Sequence, residues 1–202
     1  MATELEIKFA VDDLQKLDCI LCDPTVREKM TEDNYRFLKM ETTYFDTEDN
    51  ALSARKWMLR IRKENGQAFV TMKTPGEGYA RDEWNVRAEY LEDAVPQLVG
   101  SGAPQELTAM LKDGLLPVSG VQFTRILGVL RFSDGTVCEL CGDIGQFVCG
   151  GKSAPLCELE MELTEGKAQT MLDFARALQE KYALSEQPRS KAERARALAR
   201  QR

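Results

Sequence analysis

Near its start the chain reads Glu4-Leu5-Glu6-Ile7-Lys8. On a strand, alternation puts Glu4, Glu6 and Lys8 on one face and Leu5, Ile7 and Phe9 on the other. Two carboxylates so placed repel, which calls for a cation against them. Similar faces recur downstream. Arg60 and Arg62 alternate with Leu59 and Ile61, and Lys73 shares a face with Phe69 and Thr71. Glu139 and Asp143 share a face, and Glu158, Glu160 and Glu162 alternate with Leu159, Met161 and Leu163. Charge is sorted by segment: the first and last strand-like runs are acidic, the third and fourth basic. A merely solvated face mixes signs or uses Ser and Thr. An acidic wall opposed to a basic one suits a metal-bound polyanion, with carboxylates for Mg2+ or Mn2+ and Arg or Lys for phosphate oxygens.

Short runs of period-two alternation between turn-formers must carry these groups, as in an antiparallel sheet or barrel. After the first strand come a helix near residues 11–22, then strands at 40–47, 57–63 and 67–73, the last two joined by the hairpin turn Glu64-Asn65-Gly66. A second turn at 74–78 leads into YARDEWNVRAEY. A helical stretch at about 91–116 follows, and strands resume at VQFTRILGVLRF, TVCELCGDIG and LCELEMEL. An amphipathic helix runs to about Leu184, and PRSKAERARALARQR ends the chain as a basic helical tail.

A chain of 202 residues with 43% apolar composition fits one soluble domain, residues 1–202. A formal charge of -6 argues against a nucleic-acid or anionic-membrane partner. No apolar run reaches the ~20 residues of a membrane span, and no leader-like segment opens the chain, so a cytoplasmic protein is expected. The absence of histidine removes His-based triads and His metal ligands. Cys19-x-x-Cys22 ends a helical stretch and Cys138-x-x-Cys141 falls in a strand, so reduced, mostly buried thiols are expected rather than zinc ligands.

ELEIK, YFDT, LRIR, TMKTPG, the Arg125 strand, CGDIG, ELEMEL and SKAERA occur in an order that resembles the CYTH superfamily, the triphosphate tunnel metalloenzymes. The resemblance implies an α+β, mainly antiparallel fold: an eight-stranded closed β-barrel with helices packed outside. It implies a metal-dependent triphosphatase with Mg2+ or Mn2+, acting on a small-molecule triphosphate, inorganic tripolyphosphate first. Class IV adenylate cyclase and thiamine triphosphatase are the alternatives, and a homodimer is compatible with the family.

By position, the resemblance assigns Glu4, Glu6, Asp143, Glu160 and Glu162 to metal. It assigns Lys8, Arg60, Arg62, Lys73, Arg125 and Lys191 to phosphate, and Lys8, Glu6 and Asp143 to catalysis. Glu158 shares the face of Glu160 and Glu162, and parity leaves open which two ligate. Glu83 resembles a further acid of the fifth strand. Without a cation the facing glutamates are expected to repel and destabilise the protein.

Overall fold

The computed structural model describes residues 5–75 and 81–200. Glu4 and most of the Thr74–Gly78 turn lie outside the described residues. The strands are β1 (Glu6–Ala10), β2 (Arg36–Asp46), β3 (Met58–Glu64), β4 (Gln67–Pro75), β5 (Arg81–Arg87), β6 (Leu116–Arg131), β7 (Val137–Cys149), β8 (Lys152–Glu165) and the short β9 (Ser185–Glu186). Helices are α1 (Leu14–Leu21), α2 (Pro24–Arg27), α3 (Ala51–Ala54), α4 (Leu91–Gly100), α5 (Glu106–Asp113), α6 (Ala168–Tyr182) and α7 (Lys191–Arg200).

Local chemistry sets several boundaries. Asp13 caps α1, its carboxylate accepting the Lys16 N–H at 2.8 Å. Asn65 and Gly66 both adopt positive φ, 47° and 86°, the geometry a two-residue β3–β4 hairpin requires. Ser190 and Glu193 form a capping box: the Ser190 hydroxyl accepts the Glu193 N–H at 3.2 Å, and the Glu193 carboxylate accepts the Ser190 N–H at 2.7 Å. The SKAE motif therefore fixes where α7 begins and puts Lys191 in its first turn.

All pairings are antiparallel, in the order β5-β4-β3-β2-β6-β7-β8-β1-β9. The α+β, mainly antiparallel expectation is met. The closed eight-stranded barrel is not: nine strands form an open ladder, and among the described residues no pairing joins β5 to β1 or β9. The outer edge of β1 is occupied by β9, which pairs with Phe9 and Ala10 and so takes part of the edge a closing strand would use.

One face of the sheet carries an apolar cluster toward each end, and helices cover both. Around β1, β7 and β8, the helices α1, α2 and α6 bury Phe9, Leu17, Ile20, Leu140, Leu159 and Met161. Around β3 and β4, α4 and α5 cover Leu59, Val70 and Met72 with Leu98 and Leu107. These helices lie outside the charged face, as expected. α7 departs from that plan: Ala195 and Leu198 pack with Met40, Tyr44, Phe123 and Phe147, on the face that carries the charges. A basic tail that looks like a surface helix is thus drawn down onto the sheet by an apolar i, i+3 pair.

Candidate active site on the charged sheet face

Register brings the acidic residues into rows. Glu6 pairs with Glu162, which pairs with Glu139. One step along, Lys8 pairs with Glu160 and Glu160 with Cys141; Glu158 then pairs with Asp143, and Asp143 with Arg125. The same face continues through Thr42 and Tyr44 to Arg62 and Arg60, then to Thr71 and Lys73, and ends at Glu83 and Asn85. The charged residues of distant sequence segments therefore share one surface.

The deepest part is an ion cluster. Asp143 and Glu158 are fully buried, and carboxylate oxygens of Asp143, Glu158 and Glu160 lie within 4.8 Å of one another. Such an all-oxygen set suits a hard cation. Here three cations of the chain itself meet it. Arg125 grips Asp143 through Nε (2.8 Å) and Nη2 (2.7 Å), and Nη2 also reaches Glu160 at 2.5 Å. Lys191 Nζ lies 2.8 Å from Asp143 and 2.6 Å from Glu160, and also contacts Glu158. Arg194 bonds the other Glu158 oxygen. Three carboxylates face three cations, which is how buried charge is tolerated.

Titration follows the geometry. Burial alone would raise the Glu160 carboxyl, but Lys191 and Arg125 outweigh it and hold it well below the usual carboxylate range. Burial dominates at Glu158, which stays above that range despite Lys191. Lys191 is pushed up: burial would lower it, but Asp143, Glu160 and Glu158 prevail. Arg62 is pushed down to about 10, by burial first and then by Arg60. The Cys141 thiol, buried beside this cluster, is pushed up to about 12 by desolvation.

Toward the rim, Glu6 takes the Lys8 ammonium at 2.6 Å. Across the sheet, Arg62 Nε donates to the Thr42 hydroxyl at 3.2 Å, and Lys73 pairs with Glu83 at 2.5 Å. The Lys73 pair ties the fifth-strand acid to the basic wall, and Asn85, on the same strand, donates to Glu83 at 2.6 Å. Arg60 Nε is buried and has no hydrogen-bond partner among the described residues.

Of the sequence-predicted residues, Glu6, Lys8, Asp143, Glu160 and Glu162 meet on β1, β7 and β8, with Arg125 against them. Arg60, Arg62 and Lys73 meet on β3 and β4. Lys191, expected at phosphate, instead bonds the carboxylates. The expected repulsion among glutamates does not describe Glu160, whose charge is stabilised by Lys191 and Arg125. Sequence reasoning missed Arg194 and Arg196. The signal for Arg194 was the stripe Lys191, Arg194, Ala195, Leu198, spaced to face one neighbour; Arg196 lies off that stripe. Cys19 and Cys22 are exposed, against the expectation of mostly buried thiols, while Cys138, Cys141 and Cys149 are buried. A groove of about 560 Å³ involving Thr43, Gln122 and Gln146 opens on the opposite side of the sheet, with Glu41 and Lys152 also in its lining.

Together these define an antiparallel-sheet protein with a carboxylate wall and a guanidinium wall on one face. The chain belongs to the CYTH domain family, whose profile matches residues 2–195. It is 28% identical over 185 residues to the inorganic triphosphatase of Haemophilus influenzae, covering 88% of this chain and 50% of that protein. The chain thus spans about half the length of that curated relative. Among solved structures it resembles a candidate adenylate cyclase of Bacillus halodurans (17% identity, TM-score 0.60, 95% and 96% of the two chains). It also resembles a candidate adenylyl cyclase of Hippeastrum described as revealing a dominant triphosphatase activity (17% identity, TM-score 0.57, 96% and 95%). These last two likenesses speak to the fold alone. No helix among the described residues is long and apolar enough to cross a membrane.

Proposed function

We propose that the protein is a metal-dependent triphosphatase acting on a small triphosphate, with inorganic tripolyphosphate as its substrate. The observation that carries this reading is that Glu6, Glu160 and Glu162 share one sheet face with Arg125, Arg62, Arg60 and Lys73. Membership of the CYTH family and the name of the Haemophilus influenzae relative support it.

In this reading Glu6 and Glu162, directly opposed at the rim, would hold Mg2+ or Mn2+ together with Glu4 and Glu160. Their carboxylate oxygens are the donor type such ions take. The cation supplies charge neutralisation and a bound water of lowered pKa. Arg60, Arg62 and Lys73 hold the non-bridging oxygens at the basic end, where a loose phosphoryl-transfer transition state spreads its charge. Lys8, held by Glu6, stands at the boundary of the two regions. Asp143 acts through Arg125, whose planar guanidinium it fixes toward the centre of the face.

Incubation of the purified protein with tripolyphosphate, ATP and thiamine triphosphate in separate reactions tests the proposal. Phosphate with pyrophosphate from tripolyphosphate in a Mg2+- or Mn2+-dependent reaction is the expected result. Cyclic AMP with pyrophosphate from ATP would select a cyclase instead.

A further inference from the structure

Resting on that reading, we infer that Arg196 of α7 is a further phosphate-binding residue, completing the basic wall with Arg60. Buried guanidinium donors are nearly always satisfied, so an unfilled pair calls for an explanation. Among the described residues, Arg196 Nε and Nη2 are both buried and neither has a hydrogen-bond partner. These two nitrogens form one edge of the guanidinium fork. Arg125 uses the same edge, Nε and Nη2, to hold both oxygens of Asp143. Arg196 therefore presents a complete two-donor edge, shaped for a pair of oxygens on one carbon or phosphorus.

The nearest anion does not fill it. Asp46 Oδ2 lies 3.3 Å from Arg196 Nη2, close enough for attraction but outside hydrogen-bond geometry. Both Asp46 oxygens are already occupied. Oδ1 accepts the Thr47 and Leu52 N–H groups at 2.9 Å each, and Oδ2 accepts the Ser53 N–H at 3.1 Å as well as the Ser53 hydroxyl. Asp46 thus stations the arginine and leaves Nε and Nη2 without a hydrogen bond.

Position selects the ligand. Arg60 pairs in register with Tyr44, and Asp46 lies two residues along on the same face of β2, so Arg60 and Asp46 are diagonal neighbours at about 7–8 Å. Arg60 Nε is likewise buried and unfilled. The unfilled Nε of Arg60 and the unfilled edge of Arg196, tied by Asp46 to the neighbouring position of β2, suit a phosphoryl group at the end of the substrate farther from Glu6 and Glu162.

The test is titration calorimetry of the metal-free full chain with tripolyphosphate, for wild type and R196K, with KM and kcat measured in parallel. Lysine keeps the charge toward Asp46 and removes the fork. The expected result is at least tenfold weaker binding by R196K and a KM that rises more than kcat falls, with an unchanged melting midpoint. Equal affinity of R196K and wild type overturns the inference while leaving the triphosphatase reading in place. So does a midpoint lowered by more than about 5 °C with unchanged affinity measured below the transition, since Arg196 is then a structural pin. Wild type that neither binds nor hydrolyses tripolyphosphate overturns the parent reading and this inference with it.

Discussion

The Lys191 ammonium lies 2.6 Å from Glu160 Oε1, joining the first turn of the C-terminal helix to the central carboxylate of β8. A lysine at a helix N-terminus faces an unfavourable dipole. Its place there is explained by three carboxylates rather than by the helix. The same ammonium also holds Asp143 and Glu158, so one residue fastens α7 to two strands.

Lys191→Met should therefore be strongly destabilising. It removes one cation from a buried cluster of three carboxylates, and stranding buried charge in this way costs about 3–5 kcal/mol. Urea denaturation monitored by far-ultraviolet circular dichroism measures the loss. A change under about 1 kcal/mol would mean that the cluster does not fasten α7.

The pH dependence follows from the same contact. Glu160 is held below its unfolded value of about 4.3, so its contribution is fully present above that pH and fades as pH falls toward the folded value. Lys191 is raised, so its contribution is present below about pH 10.4 and is lost as pH rises through the higher folded value. Melting midpoints measured from pH 3 to pH 7 should drop on the acid side for wild type, and Glu160→Gln should flatten that drop. An identical acid limb in the variant would contradict the assignment.

Much of this was legible in the sequence because strand parity is a local property. ELEIK, LRIR and ELEMEL fix which side chains share a face before any partner strand is known. The ladder then adds register, which parity cannot supply. It is register that sets Glu162 against Glu6 while Glu158 meets Asp143. The role of Lys191 was not legible, because a solvated helix and a docked one share the SKAE capping signal. The open ladder was hidden for a similar reason: β9 is only two residues long, and no sequence pattern announces it.

Arg60→Ala and Arg62→Ala should each lower phosphate release from tripolyphosphate by at least about tenfold, since each removes a charge-assisted contact. Both should keep the wild-type fold, because neither side chain belongs to the apolar cores. Steady-state kinetics with a thermal melt checks both parts, and a collapsed melt would indicate a structural ion pair instead.

The thiols should separate into two groups. Cys19 and Cys22 are exposed, whereas Cys138 and Cys141 are buried, with thiols pushed up to about 11 and about 12 by desolvation. Titration of the native protein with an aromatic disulfide reagent at pH 8 should give two fast thiols, a slower one from the partly buried Cys157, and three, Cys138, Cys141 and Cys149, that require denaturant. Four or more fast thiols would contradict the packing around β7.

The most direct test of the central claim, a cation at the acidic end of one sheet face and a polyphosphate reaching the basic end, is Glu162→Gln assayed two ways. The measurement is a thermal melt with and without Mg2+ or Mn2+, paired with phosphate release from tripolyphosphate. Glu162 is only partly buried, so the metal-free midpoint should stay within about 4 °C of wild type. The metal-induced rise in midpoint should vanish, and turnover should fall by about a hundredfold or more. A variant that keeps both the rise and near-wild-type turnover would show that the Glu6–Glu162 row does not hold the cation.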